Sequence, residues 1–137
     1  YFYCLLSDGE LQCGSTWEAA MLAGREGFHN LIAVVDRNHI QIGGYTEELM
    51  PLEPLRAKWE AFGWQVIEVD GHNFEDLDVA FGQAQAIFSR PAVIIAHTIP
   101  GKGVGAWQRQ NVWHGKPPSR DEGKQALKEL NKESKVN

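Results

Sequence analysis

The run Leu31-Ile32-Ala33-Val34-Val35 constrains the fold of this chain more than any other feature. Five apolar residues without polar alternation mark a strand covered on both faces, and such strands belong to parallel sheets with helices on either side. The flanking segments alternate accordingly. A strand-like start runs to about Leu6 and breaks at Ser7-Asp8-Gly9. Ser15 with Glu18 three residues on predicts a capping box opening a helix from about Thr16 to Arg25, which Gly27 stops. Leu55, Trp59 and Phe62 at helical spacing predict a helix over residues 53–62, and Trp64 to Val69 reads as a strand. A helix over about Phe74–Phe88, a strand over Ala92–Ala96 behind Pro91, a Gly- and Pro-rich loop over Thr98–Ser119 and a helix over residues 120–131 complete the pattern, followed by a lysine-bearing tail expected to fray. The segment around Gly43-Gly44 reads as a loop with a turn. The expected class is α/β, a parallel sheet with helices on both faces.

With 43% hydrophobic residues, 137 residues suffice for one domain with a real core, so a single domain over 1–137 is expected. Tyr1 to Leu6 is strand-like from its first residue, and the fold is therefore expected to be truncated at its N-terminus, a partial domain. A net charge of -5 offers no basic stripe for nucleic acid. The longest apolar stretch, Pro91 to Ala96, falls far short of the roughly 20 residues that span a bilayer. Two cysteines, Cys4 and Cys13, are too few for a disulfide scaffold and point to a reduced, cytoplasmic setting. Trp17, Trp59 and Trp64 are expected in the core, and Trp107 and Trp113 beside a site or interface.

Open parallel sheets bind ligands beyond the carboxyl ends of their strands. Asp8 follows the first strand and Asn38 the second, thirty positions later, about one strand-helix-strand crossover. One carboxylate, one amide oxygen and nearby backbone carbonyls suit magnesium rather than zinc, because magnesium takes hard oxygen ligands in octahedral geometry at about 2.0–2.1 Å. Gly9 would let the backbone approach a diphosphate, and a helix beginning near Ser15 would add its positive N-terminal dipole. Lys102, in the turn Gly101-Lys102-Gly103 after the last strand, could also meet phosphate.

Five strings carry a resemblance over essentially the whole chain: Ser7 to Met21 (S-D-G-E-L-Q-C-G-S-T-W-E-A-A-M), Asn30 to Gly44 (N-L-I-A-V-V-D-R-N-H-I-Q-I-G-G), Lys58 to His72, and I-P-G-K-G-V with W-H-G-K-P-P (Ile99 to Val104, Trp113 to Pro118). In these the chain resembles transketolases, at the domain that binds thiamine diphosphate and magnesium. The resemblance implies that Asp8, the Asn38 side chain and the Ile40 carbonyl hold magnesium. It gives Gly9, Glu10, Asn38, Ile42 and His114 to the cofactor, with Gly9 at the diphosphate, Ile42 facing the thiazolium, and His114 helping proton transfer and donor binding. It also implies transfer of a two-carbon ketol unit between sugar phosphates. A C-terminal pyrimidine-binding subunit or domain would have to supply the rest of the site, within a homo- or hetero-oligomer, and the isolated chain is expected to be inactive. Ser7 and Cys13 depart from the family, which has glycine and commonly glutamate there; Ser7 would be strained if its φ were positive. The rival readings are a related thiamine enzyme, such as a deoxyxylulose-phosphate synthase, and a module that keeps the fold without turnover.

Overall fold

The structure, a computed structural model, describes residues 1–133. Its elements follow in the order β1 (Phe2–Ser7), α1 (Gly14–Glu26), β2 (Leu31–Arg37), β3 (Ile40–Gln41), β4 (Gly44–Tyr45), α2 (Thr46–Leu49), α3 (Leu55–Ala61), β5 (Gln65–Asp70), α4 (Phe74–Gln85), β6 (Ala92–His97) and α5 (Arg120–Glu133), with single 3-10 turns at Gly9–Gln12 and Asn111–Trp113. Four strands form one parallel sheet in the order β1-β2-β6-β5, and β3 and β4 pair as a small antiparallel hairpin.

Side-chain alternation along the central strands divides the core into two layers. Ile32, Ala92 and Ile94 meet Ala80 and Ala84 of α4 on one face. Ala33, Val35, Val66, Val93 and Ile95 meet Ala20 and Ala23 of α1 and Leu55 and Trp59 of α3 on the other. This double cover is why β2 and β6 read as continuous apolar runs. Trp59 packs edge-on to Trp64, with ring centroids 4.9 Å apart, and tilts against Trp17 at 5.2 Å. Two of these indoles find backbone acceptors: Trp64 Nε1 donates to Ala20 O at 2.8 Å and Trp17 Nε1 to Leu11 O at 2.6 Å. Alanines and Gly24 let α1 come very close to its neighbours; a Cβ on Gly24 would stand 1.8 Å from the carbonyl oxygen of Phe62.

At the sheet margin, β1 pairs only with β2 among the described residues. Phe2 and Leu5 there are 69% and 76% exposed.

Several element ends differ from the expectation. The α1 N-cap is Cys13, in extended backbone and without a side-chain capping bond, so Ser15 lies inside the helix and the Ser15–Glu18 box does not form. The 3-10 turn after β1 takes up the chain's change of direction and delivers Cys13, not Ser15, to the helix entrance. At the other end Gly27 adopts the left-handed conformation, φ 64°, that ends α1 as expected. Helix α3 begins after Pro54 rather than at residue 53. Helix α4 ends at Gln85, three residues early, and Ile87 folds back onto the core layer under it. The loop after Asn38 holds the β3–β4 hairpin and α2. Helix α5 reaches Glu133, and the rest of the tail, 134–137, lies outside the described residues.

Candidate functional site

The carboxyl ends of β1 and β2 carry the two residues singled out by their spacing, in hydrogen-bonded register: Ser7 pairs with Asp36, and the Asp8 N–H donates to the Asp36 carbonyl at 3.2 Å. Asp8 is fully buried. Its Oδ2 accepts from the His39 N–H at 2.6 Å and from Arg37 Nη1 at 3.0 Å, whereas its Oδ1 is buried without a partner. Asn38 is buried as well; its Nδ2 donates to Asp36 Oδ2 at 3.2 Å and its Oδ1 accepts the Ile40 N–H at 3.0 Å. A carbonyl oxygen has two lone pairs, so one remains on Asn38 Oδ1. The amide is held between Asp36 and Ile40, and Asp36 in turn accepts from the Thr98 hydroxyl.

A cavity of about 250 Å³ lies against Asn38, lined also by Gly9, Ile40, Ile42, Gly43 and His114. Asp8 sits between two of its wall residues, Ser7 and Gly9. Ile42, at the hairpin tip, is 85% exposed. His114 comes from the far end of the long loop and also lines a second cavity of about 280 Å³ with Trp107, Trp113 and Pro100. There the two indoles pack at 4.8 Å between centroids, tilted by 32°, and Lys116 Nζ lies 4.3 Å from the Trp113 ring centroid. The loop can double back because Gly101 takes φ 74° in a spot where a Cβ would meet the Trp107 carbonyl oxygen at 2.7 Å.

Glu10 is placed differently. Its Oε2 accepts the Ser7 N–H at 3.4 Å while Ser7 Oγ accepts the Glu10 N–H at 3.1 Å, and the residue lines a separate cavity with Cys4 and Ser15. Ser7 lies in β1 and is not among the non-glycine residues with positive φ, so serine carries no backbone strain there. Lys102 faces another cavity, of about 480 Å³, together with His39, His72, His97 and Arg109. Its histidines are tied locally: His97 Nε2 lies 2.8 Å from Glu68 Oε2, and His72 Nε2 accepts the Ile99 N–H at 2.7 Å. Burial, reinforced by the Arg37 guanidinium, holds the His39 imidazole below its ordinary pKa. His39 also adopts φ 66°, the conformation that aims its N–H at Asp8.

Arg37 is the functional neighbour that sequence reasoning missed. Its guanidinium is fully enclosed, with Nη1 at 2.9 Å from Thr46 Oγ1 and 3.0 Å from Asp8, and Nη2 at 2.8 Å from Glu47 and 3.0 Å from Glu53. The only hint in the sequence is a charged residue ending a buried strand, next to the candidate asparagine. Burial disfavours its charge, but Glu53, Glu47 and Asp8 outweigh that and raise its pKa. Burial likewise disfavours the charged forms of Glu47 and Glu53. The Leu52 N–H and Arg37 overcome this for Glu47, and the Leu55 N–H and Arg37 for Glu53, so both carboxyls sit below the ordinary range. A carboxyl lowered in the folded state stabilises the fold above its unfolded pKa, about 4.3, and loses that contribution as pH falls through the folded value. Tm is therefore expected to hold steady above about pH 5 and to fall below about pH 4.3. In Glu47→Gln the midpoint at neutral pH should drop and the acid slope flatten; an unchanged slope in calorimetric scans would count against the pairing.

Among the described residues no group of three or more His, Cys, Asp or Glu could hold a metal ion, and no helix is long and apolar enough to cross a membrane. The oxygen set at the strand tips is of another kind. An orphaned carboxylate oxygen, an amide oxygen with a spare lone pair and the backbone at Ile40 fit a hard divalent cation.

Residues 1–135 match the family described as "Transketolase, thiamine diphosphate binding domain". The chain is 43% identical over 131 residues to the 6-deoxy-6-sulfo-D-fructose transketolase subunit SqwG of Clostridium sp. (strain MSTE9), covering 96% of this chain and 48% of that one. It is 40% identical over 128 residues to an apulose-4-phosphate transketolase subunit from Phocaeicola vulgatus, covering 93% and 46%. The fold superposes on a transketolase from Campylobacter jejuni with a TM-score of 0.86 at 34% identity, over 94% of this chain and 20% of that enzyme. The chain thus spans about half the length of the related subunits and a fifth of the larger enzyme. A parallel sheet with this order, a match along nearly the whole sequence and a close structural superposition together show that the chain belongs to the transketolase thiamine diphosphate-binding domain family.

Proposed function

We propose that this chain, as a single partial domain over 1–137, anchors the diphosphate of thiamine diphosphate through a magnesium ion in a two-carbon ketol transferase acting on sugar phosphates. The observation that carries the reading is the buried, unpartnered Oδ1 of Asp8, a residue whose chain neighbours Ser7 and Gly9 wall a cavity together with Asn38 and Ile40. A buried anionic oxygen without a partner is costly, and a cation supplies the missing partner. Asp8 Oδ1, Asn38 Oδ1 and the Ile40 carbonyl would give three hard oxygens, leaving the remaining octahedral positions to phosphate oxygens and water. Bound there, the cofactor supplies the carbanion chemistry of ketol transfer. This chain's residues would bind and orient it: Gly9 would leave the cavity wall open to a diphosphate, Glu10 braces the turn through Ser7, and Ile42 would offer an apolar surface to a thiazolium ring. His114, in the wall of the same cavity, would assist proton transfer and binding of the donor substrate. The related subunits are named as subunits of transketolases, which supports a pyrimidine-binding partner chain or domain and an oligomeric assembly. The two free cysteines suit a reducing, cytoplasmic setting.

The test is calorimetric titration of the chain with thiamine diphosphate, with and without magnesium. Binding is expected only with the metal; equal heats in the presence of a chelator would defeat the reading. Ketol transfer is expected only after a pyrimidine-binding partner chain is added. Cofactor binding with no turnover in the mixture would leave a module that binds without catalysing.

A further inference from the structure

Arg37 presents four N–H groups from its two terminal nitrogens, and all four are spent inside the protein: on Asp8, Thr46, Glu47 and Glu53. The two acceptor positions of Asp8 Oδ2 are filled by Arg37 Nη1 and by the His39 N–H, and only Oδ1 is left open. The guanidinium, together with the His39 N–H, therefore fixes the rotation of the Asp8 carboxylate and which of its oxygens is free. We propose that Arg37 is a positioning and specificity residue for the divalent cation, restricting Asp8 to a single ligand oxygen. This rests on the reading of Asp8 as a metal ligand.

A carboxylate limited to one oxygen suits a small octahedral ion such as magnesium. Calcium takes six to eight oxygens at about 2.3–2.6 Å and readily accepts both oxygens of a carboxylate. Glu47 and Glu53 are part of the device. They share the guanidinium with Asp8, so one positive charge faces three carboxylates and the cluster stays net negative toward an incoming cation. They also tie α2 and the approach to α3 to the metal-facing strand end, since Glu47 accepts the Leu52 N–H and Glu53 the Leu55 N–H.

The experiment compares the affinity of the chain for thiamine diphosphate in saturating magnesium and in saturating calcium, for wild type, Arg37→Met and Arg37→Lys. Releasing Oδ2 is expected to lower the magnesium-over-calcium ratio about tenfold in Arg37→Met, the low end of what partners of metal ligands contribute. Arg37→Lys, whose ammonium cannot fork across four acceptors, should lower it in the same direction by less, and it decides the question if the methionine variant does not fold. General destabilisation would weaken binding with both ions alike and leave the ratio unmoved. A wild-type ratio in a folded variant overturns the role of Arg37. Absence of metal-dependent binding in the wild type overturns instead the reading of Asp8 on which it rests.

Discussion

Replacing Asp8 by alanine is expected to weaken magnesium-dependent binding of thiamine diphosphate by at least about a hundredfold. Loss of an outer partner of a metal ligand commonly costs 10- to 100-fold, and Asp8 is the one charged group in the proposed ligand set. A hundredfold loss corresponds to about 2.7 kcal/mol. The alanine variant also removes the acceptor for Arg37 Nη1 and the His39 N–H, so its fold must be checked. Asp8→Asn separates the two effects. An amide oxygen can still receive those two donors, while the formal charge at the ion is gone. Calorimetry with the asparagine variant, folded by circular dichroism, should show most of the loss. Wild-type affinity in that variant would remove Asp8 from the site. Asn38→Ala should act in the same direction, because it deletes the amide oxygen and frees the Ile40 N–H that this oxygen now holds.

The largest effect on stability is expected at Gly24, far from the site. Alanine in the middle of a helix is ordinarily better than glycine by about 0.5–1 kcal/mol, so α1 taken alone would gain from Gly24→Ala. Here the new Cβ would lie 1.8 Å from the Phe62 carbonyl oxygen and 3.0 Å from its carbon, both backbone atoms that cannot rotate away. Relief requires α1 and the end of α3 to separate. That motion loosens the contacts of Trp64, whose indole N–H is held by Ala20. Overpacking of this kind costs about 3 kcal/mol at the upper end of its usual range. The clash outweighs the helical gain, and for a chain of this size Tm should fall by about 10 °C. A midpoint at or above wild type would show that the two helices have room to part.

The sheet and its layering were legible because burial on both faces leaves a mark in the order of residues. The apolar run in β2 identified it as a central strand, and the spacing of Asp8 and Asn38 placed both at adjacent strand tips. The tryptophans expected in the core are there, with Trp59 and Trp64 buried and Trp17 packed against them. What was not legible depends on partners distant in sequence or on backbone angles. Arg37 looked like an ordinary strand-end charge, and only tertiary structure brings Glu47 and Glu53 to it. His39 contributes through its N–H and a positive φ that no side-chain chemistry announces. The capping signal at Ser15 had the right residues in the wrong frame, because the turn after Asp8 shifted the helix start. The hairpin around Gly43-Gly44 has strands of two residues each, too short for any alternation to show.

The exposed margin at β1 has a consequence for handling the isolated chain. Its outward amides and the bare rings and aliphatic groups of Phe2 and Leu5 form a template onto which another extended segment can zip. Association through that rim grows with protein concentration, whereas folding of a single copy does not. Yield of the native species is therefore expected to fall as preparations are concentrated, and charged substitutions along the rim would act as gatekeepers that leave the strand tips at Asp8 and Asn38 untouched.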